Sequence, residues 1–195
     1  MLDQFKDYLR KRITITDEQF DLISGDLKIK TFEKNKTLLS PGETSTRIYF
    51  VTEGLLRCYS TDSRGKLHII QFAPEFWWMS ERNSFFNEPS DFYIDTVEPT
   101  TALIIPPNYF NDGAKHVPCL HDLNNTMLNN SIRFMQKRIN MLLSATAEER
   151  YLDFVKLYPN LTLRVPQWMI ASYLGITPES LSRVRKDLAH KHFKV

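Results

Sequence analysis

The side chains best suited to do chemistry are gathered in one short stretch, "TPESLSRVRKDLA", Thr177 to Ala189. Read as a helix, it puts Leu181, Val184 and Leu188 on a buried side, because residues three and four apart share a helical face. Glu179, Ser180, Ser182, Arg183, Lys186 and Asp187 then face outward. Short hydroxyls, an acid and several bases on one face fit the edges of duplex DNA. Arginine donates in bidentate fashion to guanine O6 and N7, and glutamate accepts from cytosine N4. This is recognition chemistry rather than catalysis.

Other chemistries lack their residues. Cys58 and Cys119 lie 61 positions apart and form no CxxC pair, so neither a zinc ribbon nor a cysteine-ligated cluster can be assembled from them. His190 and His192 form an HxH in a basic tail, where no metal site is expected. An enzyme on a small β-barrel needs clustered histidine and carboxylate ligands on neighbouring strands. Between Lys28 and Pro106 the only histidine is His68. No Ser/His/Asp order, phosphate-cradling glycine loop or HExxH occurs, and six glycines leave a Gly-rich nucleotide loop nowhere to sit. We therefore assign no catalytic residue, no metal and no cofactor, and expect no enzyme.

That reading face needs a scaffold, and the preceding residues supply one. Pro166 suits the first turn of a helix, whose N–H groups have no partner. Ile170, Ala171 and Leu174 give that helix an apolar face, with Ala171 small where a crossing helix comes close. Gly175 can take the positive φ that a sharp helix end requires. Ile176 fills the space between the helices, Thr177 caps the second, and Pro178 takes its first position. Two helices around a tight turn, with bases on the second, spell a helix-turn-helix.

Further upstream, the first 25 residues read as helical, with a Thr16-x-x-Gln19 capping box. From Lys28, short β-rich runs are broken at Pro41-Gly42, Glu53-Gly54 and Asp62 to Gly65, which predicts an antiparallel barrel or sandwich. The run "FYIDTVEPTTALIIP", Phe92 to Pro106, closes it. After Pro118, Leu128, Ile132, Met135, Ile139 and Leu142 step by four and three, the rhythm of a coiled coil, so this helix is expected to pair with a copy of itself. Thr146 and Glu149 open another helix with a capping box, and Tyr158-Pro159 ends it.

The fold class is thus α+β. We expect a sensor β-roll with N-terminal helices over residues 1–115, a dimerisation helix over 116–144 and a helix-turn-helix domain over 145–195. Charge follows the same division. Residues 1–115 hold 14 Lys and Arg against 17 Asp and Glu, while residues 145–195 hold 8 against 5, so basic character collects at the end expected to meet a polyanion. No run of about 18 apolar residues could span a bilayer, and "MLDQFKDYLRKR" lacks a signal's apolar segment, so a cytoplasmic protein is expected with no membrane partner.

"IASYLGITPESLSRVRKDL" resembles the helix-turn-helix of the cyclic-AMP receptor protein / fumarate–nitrate regulator (Crp/Fnr) family of bacterial transcription factors, in particular its Bacteroidetes-type members. "SPGETSTRIYFVTEGLLRCY" is similar to the family's β-roll, so the resemblance runs nearly the full length. It implies a cyclic-nucleotide-binding-like, double-stranded β-helix domain, a homodimer on a palindromic site in double-stranded DNA, and RNA polymerase as a partner. By position, Thr177, Glu179, Ser180, Ser182 and Arg183 fall in the family's recognition helix, and with Lys186 of the outward face they make the DNA-binding set. Glu179 and Arg183 match base-contacting places and Ser180 a phosphate-contacting one. Pro178 replaces a frequent arginine. The chain stops at Val195, where many members continue into a β-hairpin wing, so a full wing is not expected.

The resemblance also locates an effector pocket at Glu81, Ser90 and Asp91. In nucleotide-binding members a Gly-Glu pair holds the ribose and a following arginine pairs with the cyclic phosphate. Here those places read Ser80-Glu81 and Ser90-Asp91. Serine cannot replace a bidentate guanidinium, and a carboxylate 4 Å from a phosphate adds about 1 kcal/mol of repulsion even in bulk water. An effector other than cyclic AMP is expected, if one binds. The nearby rings, Phe72, Phe76, Trp77, Trp78, Phe85, Phe86, Phe92 and Tyr93, are read as filling the barrel. Adjacent Trp77 and Trp78 point to opposite faces of a strand. The alternative is a module of the same fold that binds ligand or protein and no longer binds DNA.

Overall fold

The computed structural model describes residues 1–81 and 83–192. Two helices come first, α1 (Leu2–Arg10) and α2 (Asp17–Ser24). Thr16 starts α2 through the expected capping box: its hydroxyl accepts from the Gln19 amide at 3.2 Å, and the Gln19 side chain accepts from the Thr16 amide at 3.1 Å. Leu22, which the helical spacing would bury beside Phe20 and Ile23, is exposed instead.

Among the described residues eight strands follow: β1 (Lys28–Phe32), β2 (Thr37–Leu39), β3 (Ile48–Glu53), β4 (Leu56–Thr61), β5 (Leu67–Ala73), β6 (Trp78–Met79), β7 (Tyr93–Thr96) and β8 (Thr100–Ile105). They form two four-stranded sheets in the orders β1-β8-β3-β6 and β2-β7-β4-β5. The β1–β8, β3–β8, β3–β6, β2–β7 and β4–β7 pairs are all antiparallel. Gly54 turns β3 into β4 with φ +92°, and a Cβ there would lie 2.4 Å from the Pro99 carbonyl oxygen, so no other residue fits.

Strand alternation sorts the side chains into two cores. Between the sheets lie Leu39, Tyr49, Val51, Leu56, Cys58, Ala73, Met79, Ile94 and Ala102, with Trp77 against them. On the outer face Ile48, Phe50, Leu103 and Ile105 meet Phe5, Leu9, Phe20 and Ile23 of the first two helices. Trp78 joins this outer core and donates its indole N–H to the Tyr8 hydroxyl at 2.8 Å. The two neighbouring tryptophans therefore serve opposite faces, as a two-residue period demands. On β4 and β7, the registered pair Arg57 and Asp95 form a buried bidentate ion pair at 2.6 and 2.8 Å.

Helices follow: α3 (Tyr109–Gly113), α4 (Cys119–Ser144), α5 (Ala147–Leu157), α6 (Leu161–Arg164), α7 (Gln167–Leu174) and α8 (Pro178–His192). Pro166 stands just before α7 as its N-cap rather than inside its first turn. Short α3 and a 3-10 turn at Asn83–Phe86 carry no periodicity long enough to read from sequence. The chain forms two compact units. One comprises Met1–Ser60 with Gln71–Asn130; the other comprises Thr61–Ile70 with the chain from Ser131 onward. The expectation about a wing concerns the stretch after α8, where residues 193–195 lie outside those described.

Candidate nucleic-acid interface

A helix leaves its last four carbonyls without partners inside the helix. For α7 each one is accounted for. Gly175, at φ +67°, turns the backbone so that its own amide donates to the Ser172 carbonyl at 3.1 Å. The Ile176 amide donates to the Ala171 carbonyl at 3.0 Å, completing a Schellman turn. The remaining two carbonyls are met by arginines: Arg138 donates to Tyr173 at 2.9 Å and Arg150 to Leu174 at 3.0 Å. Two guanidinium charges at a helix C-terminus also complement its dipole.

Only Ile176 and Thr177 separate this turn from α8, so the end of α7 sets where α8 starts. Thr177 caps α8: its hydroxyl accepts from the Ser180 amide and lies 3.2 Å from the Ser180 hydroxyl. Leu181 is fully buried, with its amide donating to the Thr177 carbonyl at 3.0 Å. Beneath it, Phe154, Tyr158 and Tyr173 pack ring against ring and anchor α5 to α7. Lys191 pairs with Glu148 at 2.7 Å and ties the far end of α8 to α5.

The predicted reading residues do not all stand alike. Glu179, Ser182, Arg183 and Lys186 are exposed. Ser180 is half-buried and, with Thr177, is engaged in the cap. Glu179 folds toward the start of α8, where its own amide, and then the Thr177 hydroxyl, hold its carboxyl below the usual carboxylate range. It stays ionised and acceptor-only near neutral pH. Val184, Arg185 and Leu188 are half-buried on the side facing the core.

The stripe predicted for self-association is open. Ile132 and Ile139 are 55% and 57% exposed, Met135 is 48% and Leu142 38%, while Leu128 is half-buried. Phe134, Arg138 and Met141 alternate with that stripe and, together with Leu142 of the stripe itself, line a small cavity with Phe154, Tyr173 and Leu174.

The three residues expected to form the effector pocket differ in exposure and in hydrogen bonding. Glu81 is buried, and its charge acts on Cys58 of β4. Ser90 is buried too, but its hydroxyl is used locally: it donates to the Phe92 carbonyl at 2.9 Å and accepts from the Phe92 amide at 3.0 Å. Asp91 is exposed. Burial, with Glu81 adding to it, pushes the Cys58 thiol up to about 12. At pH 8 that leaves roughly one thiolate in 10⁴. Titration with a disulfide reagent should therefore consume one thiol quickly, half-buried Cys119, and reach Cys58 only after unfolding. Two thiols reacting at similar rates would show that the barrel interior does not enclose Cys58.

Arg138 and Arg150 hold the end of α7, and Ser172 ties α7 to Leu67 and Ile69; the sequence pattern alone does not single them out. By spacing, Arg138 is one of the polar residues filling the gaps of the apolar stripe. The available signal is the helix end at Gly175, whose carbonyls need donors from elsewhere in the chain. Among the described residues, no group of three His, Cys, Asp or Glu could hold a metal ion, and no helix is long and apolar enough to cross a membrane.

A double-sheet β-roll with N-terminal helices, one long helix bearing an open apolar stripe, and a C-terminal helix-turn-helix define a class of protein by architecture alone. Residues 29–116 match the family model described as a cyclic nucleotide-binding domain. Over 184 residues the chain is 23% identical to the anaerobic regulatory protein of Haemophilus influenzae, covering 88% of this chain and 71% of that one. Among solved structures, FixK2 from Bradyrhizobium japonicum matches with a TM-score of 0.73 at 20% identity, covering 85% of this chain and 86% of that one. A Crp/Fnr-family transcriptional regulator from Thermus thermophilus matches at 0.61 and 17% identity, covering 84% and 87%. Residues 29–116 thus match a cyclic nucleotide-binding domain, and the fold is shared with a solved regulator of the Crp/Fnr family.

Proposed function

We propose that the protein is a homodimeric regulator of transcription that reads double-stranded DNA with α8. The observation that carries this is the division of α8: Leu181 is fully buried, while Glu179, Ser182, Arg183 and Lys186 stand in solvent. Two copies joined along Ile132, Met135, Ile139 and Leu142 would present two such helices about 34 Å apart, to successive major grooves of a palindromic site. Arg183 and Glu179 then read base edges, Lys186 approaches phosphate, and RNA polymerase is the partner that responds to the bound dimer. A small effector other than cyclic AMP is the signal for the β-roll. Support comes from Ser90, whose hydroxyl is tied to the Phe92 backbone where nucleotide-binding members place the phosphate-pairing arginine, and from exposed Asp91 beside it.

The test is selection from a pool of randomised duplexes. The protein is expected to enrich one inverted repeat, with half-sites about one helical turn apart, and to bind it with an affinity that falls steeply with salt as phosphate counterions are released. Enrichment of no sequence, with weak salt-dependent binding to all duplexes, would reduce the chain to a module of the same fold that does not read DNA.

A further inference from the structure

Arg138 does more than close a helix end. The same guanidinium nitrogen that donates to the Tyr173 carbonyl donates to the Ile69 carbonyl at 3.0 Å, and the guanidinium lies 3.6 Å from the centre of the Tyr173 ring. One side chain of α4 thus grips both α7 and the β4–β5 hairpin tip. Charge-assisted bonds to two carbonyls, with a cation over a ring, fix direction as well as distance. Beside it, the Ser172 hydroxyl accepts from the Ile69 amide at 3.0 Å and donates to the Leu67 carbonyl at 2.8 Å. Those two groups project from the same edge of β5, so the hydroxyl takes the place of a residue on a neighbouring strand. The hairpin itself is stiffened by Asp62, which accepts from the Arg64 and Lys66 amides at 2.9 and 3.0 Å and pairs with His68 at 3.1 Å.

We propose that Arg138 is a positioning residue for DNA reading, which locks α7, the hairpin tip of residues 61–70 and the dimer helix α4 into one body that aims α8. The assignment rests on the reading of the protein as a dimeric DNA-binding regulator. Residues 138 and 139 are neighbours about 100° apart around α4, so the turn that offers Ile139 to a second copy also holds α7 through Arg138. Dimer contact and recognition-helix direction are then set on one turn of one helix. Base readout depends on that direction; phosphate attraction depends on it far less. Lysine keeps the charge, but it lacks the planar guanidinium that lies over the Tyr173 ring while its nitrogen donates to both carbonyls.

The experiment compares wild type with Arg138→Lys, Arg138→Gln and Ser172→Ala. It measures binding to the duplex that wild type selects and to an unrelated duplex, together with dimer mass and amide-exchange protection in α7 and α8. Arg138→Lys and Arg138→Gln should weaken the selected duplex at least 10-fold, and Ser172→Ala by less. Affinity for the unrelated duplex, salt slope, dimer mass and amide protection should stay at wild-type values. Wild-type affinity of Arg138→Lys for the selected duplex would overturn the assignment. So would equal weakening of both duplexes with loss of amide protection, which marks mere structural support, or a salt slope lowered by about one per copy, which marks a direct phosphate contact. If wild type itself selects no duplex, the DNA reading falls and Arg138 with it. If wild type selects one that Arg138→Lys binds equally well, Arg138 falls alone.

Discussion

Replacing Ile132 and Ile139 together with glutamate should yield a monomer at micromolar concentration that no longer holds its DNA site. Each isoleucine exposes slightly more than half of its surface on the single chain. Full burial of such a side chain is worth about 1.5–3 kcal/mol, so roughly 1 kcal/mol remains available at each. Four such side chains meet in a dimer, which makes about 4 kcal/mol, or close to three orders of magnitude in dimer affinity. Four carboxylates brought together in their place add repulsion and desolvation. Leu142 is the poorer target, because it also lies where a Cβ on Gly175 would come within 3.2 Å, and its loss would disturb the helix-turn-helix directly. Sedimentation velocity should show the mass fall from twice 22.9 kDa to 22.9 kDa. A single half-site also loses the effective concentration that linkage provides, a further factor of about 10²–10⁴ on DNA. An unchanged mass would exclude this stripe as the interface.

What could be read from the sequence, and what could not, divides along a physical line. Features set by residues close in the chain were legible: the Thr16 and Thr146 capping boxes form, Gly175 takes positive φ, and Pro178 opens α8. The two-residue period placed Trp77 and Trp78 on opposite faces without any knowledge of their neighbours. The β-roll was legible as a class from regularly spaced turns, although its strand order was not. Which strand lies beside which depends on pairings between residues far apart in the chain, such as Thr31 with Thr101, that no local pattern encodes.

The same limit explains the site. Arg183 and Lys186 could be named because their exposure follows from the burial of Leu181 one and a half turns or less away. Arg138 could not, because its two acceptors lie 69 residues before it and 35 after it. Ser172 looked like one more small polar residue on α7, and its partners at Leu67 and Ile69 are more than 100 residues distant. Ser90 is legible as the residue at the phosphate-pairing arginine's place in the resemblance. That its hydroxyl is spent on the Phe92 backbone is a fact of a turn, visible only once the turn is folded.

Arg183→Ala should leave the dimer and its stability intact and remove discrimination between the selected duplex and any other. The side chain is exposed, and alanine is at least as good a helix former, so unfolding free energy should change by no more than about 0.5 kcal/mol. A bidentate contact to a guanine is worth about 1–3 kcal/mol of discrimination. A dimer carries the contact twice, which makes about 2–6 kcal/mol, or roughly 30-fold to 10⁴-fold on the selected duplex. Lys186→Ala supplies the contrast. A phosphate contact carries no sequence information, so its loss should weaken all duplexes alike and lower the salt slope by about one per copy. Competition gel-shifts at two salt concentrations separate the two. If Arg183→Ala binds the selected duplex as wild type does, α8 does not read bases through this residue, and the role assigned to its exposed face has to be given up.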